Sequence, residues 1–154
     1  MRLRNIPRAE SVLNECKEVV KNVSDCRGRW KDVFGNLNPV HIEIGMGKGQ
    51  FLLTLAMQNP DVNYIGIERY SSVLLRAVES LNETRAIPDM KTAYSNLRFI
   101  CMDARSLTEA FAPGEADRIY LNFSDPWPKA RHAERRLTSR TFLARYHEIL
   151  AAMG

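Results

Sequence analysis

Apolar positions along this chain repeat in two rhythms. From Ala9 they fall at Val12, Leu13, Cys16, Val19, Val20 and Val23, a helical stripe that predicts a helix packed on the main body. Four short runs are instead rich in β-branched or aromatic residues: Val40 to Ile44, Asn63 to Ile67, Leu97 to Cys101, and Ile119 to Leu121. They read as buried strands. Between them the helical rhythm returns. Gln50 to Gln58 places Phe51, Leu52, Leu55 and Ala56 on one face, and Asn59-Pro60-Asp61 ends it. Ser71 or Ser72 can cap a helix whose inner face is Val73, Leu74, Ala77, Val78 and Leu81. Thr138 or Ser139 can cap a last one with Phe142, Leu143, Tyr146, Ile149 and Leu150 inward, closed by Gly154. Gly28 to Asn36 is a turn-rich connector anchored by Trp30 and Phe34, Thr84 to Asn96 a polar loop, and Pro113-Gly114 a turn. The alternation predicts an α/β fold with a doubly wound, mostly parallel sheet.

Chemistry gathers at the ends of the predicted strands, where open parallel sheets hold their ligands. The first strand runs directly into Gly45-Met46-Gly47-Lys48-Gly49, and glycines there let the backbone turn tightly and approach a ligand closely. The pattern is E-x-G-x-G-x-G, and Lys48 lacks the following Ser or Thr of a phosphate-cradling loop. Glu43, two positions before Gly45, opposes a pyrophosphate and suits a cationic ligand such as S-adenosylmethionine. Glu68 closes the second strand 23 residues after Gly45, near the offset at which an acid meets a ribose hydroxyl pair. Asp103 follows the third strand and can accept an adenine amino group, with Met102 or Ala104 against the ring; a helix cap is its other reading.

The most distinctive stretch is Asp117 to Arg136. Its strand breaks into Asn122-Phe123-Ser124-Asp125-Pro126-Trp127-Pro128, and two prolines around a tryptophan stop both helix and strand pairing. Lys129, Arg131, His132, Arg135 and Arg136 follow, opposed only by Glu134. A carboxylate and aromatic rings on a stiff loop beside a cationic arm suit a base on an anionic backbone.

Composition narrows the class. The 154 residues fit one domain, 45% hydrophobic and 26% charged, with a net charge of +4. Basic residues cluster at Arg2, Arg4 and Arg8 and again from Lys129 to Arg140. Cys16, Cys26 and Cys101 fit neither a disulfide framework nor a metal site, so reduced thiols and no metal are expected. No run suggests a membrane span or signal peptide, and a cytoplasmic protein is expected.

IEIGMGKGQF, NYIGIE, MDAR, DRIYLNFSDPWPKARHAERRLT and the opening MRLRNIP together resemble the bacterial tRNA (guanine-N7-)-methyltransferase family almost end to end. The resemblance implies a class I methyltransferase (Rossmann-like) fold, S-adenosylmethionine as donor, and tRNA as partner, methylated at the variable-loop guanine of position 46. It implies cofactor contacts from Glu43, Gly45, Gly47, Gly49, Glu68, Asp103 and Asp125, with Asp125 also catalytic. Lys129 would contact substrate, and Arg131, His132, Ala133, Glu134, Arg135 and Arg136 would contact RNA. Residues 1–36 form an N-terminal basic segment and packing helix, and 37–154 the methyltransferase domain. Two departures stand out. Arg85 to Ser95 is longer than the resemblance leads one to expect. Family members also continue beyond the last helix with further strands, so the sheet is expected to be truncated after its fourth strand and the helix that follows. A chain of only these residues is expected to bind cofactor weakly and self-associate, a homodimer being one such form, with little activity.

Three other readings stay open: a nicotinamide-linked dehydrogenase, against which Glu43 and the glycine spacing argue, a methyltransferase acting on another base or on protein, and a non-catalytic tRNA-binding chain.

Overall fold

Four parallel strands stand in the order β3-β2-β1-β4: β1 (Val40–Ile44), β2 (Asn63–Glu68), β3 (Leu97–Cys101) and β4 (Arg118–Leu121). The computed structural model describes residues 6–121 and 140–151. Helices cover both faces, so the strands carry buried residues on each face. On one face α1 (Ala9–Glu15), α4 (Gln50–Gln58) and α5 (Ser71–Arg85) bury Leu13, Leu52, Leu74 and Phe99. On the other, α3 (Trp30–Phe34), α6 (Leu107–Ala110) and α7 (Arg140–Ile149) pack with Ile42, Ile65 and Phe111, and the short α2 (Val23–Cys26) adds Val23 and Cys26 at the margin. The chain lays down β1, β2 and β3 in one direction, then returns to set β4 on the far side of β1. The order therefore reverses between β1 and β4, where such sheets open a crevice at their carboxyl ends.

The connector before β1 is anchored as its aromatics predict. The Trp30 indole N–H donates to Ala110 O at 2.8 Å, and its ring stacks on Phe111 at 5.3 Å. Glu115 accepts from the backbone N–H of Gly28 and of Trp30. Asp117 then accepts from Val40 N–H at 2.8 Å, setting the start of β4 beside that of β1.

Several elements differ from the sequence expectation. The first helix stops at Glu15 rather than continuing to Val23, because Cys16 turns to an extended backbone. Residues 18–20 instead run along β3. Phe99 N–H donates to Glu18 O and Val20 N–H to Phe99 O, both at 2.8 Å. A strand edge needs partners for its backbone groups, and Val19, 6% exposed, is buried as well in this bridge as on a helix stripe. The polar stretch after the third helical rhythm is also more ordered than a loop. Helix α5 reaches Arg85, a 3-10 turn spans Pro88–Met90, and Arg85 Nε donates to Ala93 O at 2.8 Å. Buried faces shift by a residue or so. In α4, Leu53 is buried, while Phe51 lies 48% exposed and edge-on to Tyr120. In α5, Leu75 takes the place expected of Val73, and in α7 Leu143 is exposed. Neither Ser71 nor Ser72 caps α5; the N-cap is Tyr70, with no side-chain cap bond. The proposed caps Thr138 and Ser139, and the closing Gly154, lie outside the described residues. Among the described residues no helix is long and apolar enough to cross a membrane.

Candidate functional site

The glycine loop lies across the carboxyl end of β1 and is held from below. Gly45 and Met46 both donate their N–H to Ile67 O of β2, at 2.9 and 3.0 Å. Gly45, Gly47 and Gly49 all have positive φ, at 74°, 60° and 82°. Only glycine adopts this conformation freely, so the alternating glycines are a backbone requirement. Two of them differ in surroundings. A Cβ on Gly49, the N-cap of α4, would meet Ala77 Cβ at 2.9 Å, so this glycine allows α4 and α5 to close on each other. A Cβ on Gly47 would meet nothing within 4 Å, so its bare backbone faces open space.

Glu68 ends β2 with its side chain 2% exposed, yet both oxygens are occupied. Oε1 accepts from Gly47 N–H at 3.1 Å and Oε2 from Tyr70 N–H at 3.0 Å. One carboxylate thus ties the glycine loop to the start of α5. Glu43 is equally buried, at 2%, and stands in register with Gly66 of β2 and Tyr120 of β4. Strand alternation puts Glu43, Gly66 and Glu68 on the same sheet face, the one covered by α4 and α5.

Asp103 stands at the corresponding end of β3, where Met102 N–H donates to Glu68 O at 3.2 Å. It caps the 3-10 turn Ala104–Ser106: Oδ1 accepts from Arg105 N–H at 2.9 Å, and Oδ2 pairs with the Arg105 guanidinium at 3.2 Å. Burial raises the Asp103 pKa, but the Arg105 backbone and side chain, with Arg69, outweigh it and hold the carboxyl below its ordinary value. The helix-cap reading of this residue therefore describes its contacts here, and each oxygen keeps a further lone pair for a ligand.

Glu43, Gly45, Gly47, Gly49, Glu68 and Asp103 are thus brought to one rim by three adjacent strands. Asp125, Lys129, Arg131, His132, Ala133, Glu134, Arg135 and Arg136 lie outside the described residues. A separate cavity of about 540 Å³ opens beyond Cys101, between α1 and the start of α5, and is lined by none of these residues.

A family model described as "Putative methyltransferase" matches residues 37–154. The tRNA (guanine-N(7)-)-methyltransferase of Lachnoclostridium phytofermentans is 57% identical across the whole chain, which spans 68% of that protein's length. The enzyme of the same name from Bacillus subtilis is 47% identical, again across the whole chain and 69% of its own. The chain belongs to the tRNA (guanine-N(7)-)-methyltransferase family. Among solved structures, one titled "Structure of an antibiotic related Methyltransferase" superposes with a TM-score of 0.62 at 24% identity, over 86% of this chain and 61% of that one. This likeness is one of fold, and it identifies the sheet as that of a class I methyltransferase.

The donor set at the rim fits the cofactor that the fold family implies. Buried carboxylates at the ends of β1 and β2 match a cationic amino acid moiety and a ribose, and the bare backbone of Gly47 leaves room for close approach. Two residues of this rim escaped the sequence reading. Met46 carries no signal in the glycine pattern, yet it is only 3% exposed. Gly66 stands inside a buried strand, where a glycine is the signal of close approach of another group.

Proposed function

We propose that this chain transfers a methyl group to N7 of the variable-loop guanine, position 46, of tRNA, using S-adenosylmethionine as donor. The observation that carries the reading is the convergence of Glu43, Glu68 and the open Gly47 backbone at one rim, in a chain 57% identical to a tRNA (guanine-N(7)-)-methyltransferase. When bound, the cofactor supplies an electrophilic methyl group on a positively charged sulfur.

Glu68 accepts from the ribose hydroxyls, Glu43 faces the cationic end, and Asp103 takes the adenine amino group with Met102 or Ala104 against the ring. Guanine N7 carries an exposed lone pair, so no general base is required. The protein's task is in-line positioning and compensation of the positive charge that arises on the purine. Asp125, on the segment after β4, binds the purine N–H groups and supplies that compensation, while also bordering the cofactor. Lys129 contacts the substrate, and Arg131 to Arg136 hold phosphates and set register without reading sequence. Residues 37–154 carry this chemistry, with residues 1–36 as an N-terminal addition, and a tRNA substrate places the protein in the cytoplasm.

The test is direct. Protein carrying these residues, together with any downstream sequence the source genome supplies, should yield 7-methylguanosine at position 46 when incubated with the donor and unmodified tRNA, read by mass spectrometry of nuclease fragments. Methylation of another base would favour the broader nucleic-acid reading, and tRNA binding without product the non-catalytic one.

A further inference from the structure

The glycine loop is built over an apolar lock that the proposed chemistry does not use. Met46 lies between two glycines in a surface turn, yet its side chain points inward. A Cβ placed on Gly66 would overlap Met46 Sδ, approach Leu52 Cδ2 to 2.5 Å and lie 3.2 Å from Met46 Cε. A Cβ on Gly49 would lie 3.0 Å from the same Cε. The thioether therefore occupies the space that any side chain at Gly66 would need, with Leu52 beside it and Gly49 above.

The location makes this more than core filling. Gly66 is the register partner of Glu43, and Glu68 follows it by two residues on the same face. Met46 is thus seated over the strand position that neighbours both Glu43 and Glu68. Its own N–H is fixed to Ile67 O, and the next residue, Gly47, is fixed to Glu68 Oε1. The Met46 side chain on Gly66 and the Gly47 N–H on Glu68 thus hold the loop to β2 at adjacent residues.

We propose that Met46, seated on Gly66, is a positioning residue for the cofactor. It fixes the glycine loop against Glu43 and Glu68 without itself taking part in methyl transfer. This rests on the rim being the cofactor site, but the lock can be read without any ligand.

Four variants test it: Met46→Ala, Met46→Leu, Gly66→Ala, and Gly66→Ala combined with Met46→Ala. In ligand-free protein, Met46→Ala should speed hydrogen exchange at the Gly47 amide while leaving the Ile42 amide of β1 protected. Binding of S-adenosylhomocysteine should weaken about tenfold or more, since misplacement of a site by a fraction of an ångström to an ångström has effects of that order. The KM for S-adenosylmethionine should rise accordingly, with the KM for tRNA unchanged. Met46→Leu, which conserves volume, should stay within about threefold of the parent. Gly66→Ala should bind poorly, and adding Met46→Ala should restore part of the affinity, because the new methyl group takes the emptied space. A Met46→Ala protein with normal Gly47 exchange and normal affinity overturns the proposal, as does a double variant no better than Gly66→Ala alone. If Gly66→Ala fails to fold, the contrast between Met46→Ala and Met46→Leu decides. Failure of the parent protein to bind S-adenosylhomocysteine would instead remove the cofactor reading, and the Gly47 exchange rates would still judge the lock.

Discussion

Strands β2 and β4 both flank β1 and both deliver their carboxyl ends to the same rim, yet they are built differently. All six residues of β2 are buried, and its terminal Glu68 is tied to the glycine loop and to the start of α5. Among the described residues β4 has a strand neighbour on one side only, with Arg118 exposed and Ile119, Tyr120 and Leu121 half-buried. Its outer ring contact is Phe51, itself 48% exposed, at 5.3 Å from Tyr120. The difference teaches how labour is divided along the rim. On the β2 side, Glu68 is a structural group as well as a proposed binding group, so affinity and stability are expected to move together. On the β4 side the described strand is more exposed, so a change there is expected to disturb the fold less.

The sharpest way to break this contrast is Asp125→Asn, which keeps shape and hydrogen-bonding capacity but removes the charge opposite the developing cation. Methyl transfer in a single turnover should fall by about a hundredfold or more, the scale of one preorganised electrostatic partner. The melting temperature and cofactor affinity should be largely retained. Normal single-turnover rates would assign charge compensation to another group.

Glu68→Ala probes the other side, and there the two effects should appear together. Loss of hydrogen bonds to a charged acceptor should weaken S-adenosylhomocysteine binding by about 1.5–3 kcal/mol in calorimetry. The Gly47 and Tyr70 N–H groups lose their partner, so the unfolding midpoint should drop as well. A variant that loses affinity at full stability would show that binding and stability do not share this carboxylate.

The smallest effect is expected at Asp103, the cap of the 3-10 turn. Asp103→Ala should cost about 0.5–1 kcal/mol, at the low end for a lost cap because the group is partly exposed. Its folded pKa lies below the ordinary 3.8, with the Arg105 contacts and Arg69 outweighing burial. A depressed carboxyl pKa contributes stability that is complete above the unfolded value and lost as pH falls through the folded one. The gap between parent and variant should therefore be constant near neutrality and close only in acid below 3.8. A gap that closes near neutral pH would show that some other group is titrating.

Much of this organisation is legible in the sequence because it is local. Runs such as Val40 to Ile44 and Asn63 to Ile67 are apolar at every other position at least, and the glycine spacing after Glu43 follows from positive φ at Gly45, Gly47 and Gly49. The motif residues sit at strand ends because parallel order alone sends every carboxyl end to one side. The stretch after β4 carried the family resemblance by sequence, although its residues lie outside those described.

What the sequence could not determine depended on distant partners. The apolar stripe from Val12 to Val23 is equally compatible with one helix or with a helix followed by an extended segment. The free edge of β3, some 80 residues later, selected the second by offering Phe99 N–H and O to Glu18 and Val20. Phe51 belongs to the apolar face of its helix by spacing, but it stays half-exposed and meets the edge of the sheet, against Tyr120. Glu68 was recognisable as an acid at a strand end, whereas its hold on Gly47 required the loop and strand to be packed first. Met46 and Gly66 carry no local signal of each other. Only the closing of α4 and α5 over β2 put a thioether where a side chain is missing, and excluded volume, a property of the assembled core, then made the two residues one device.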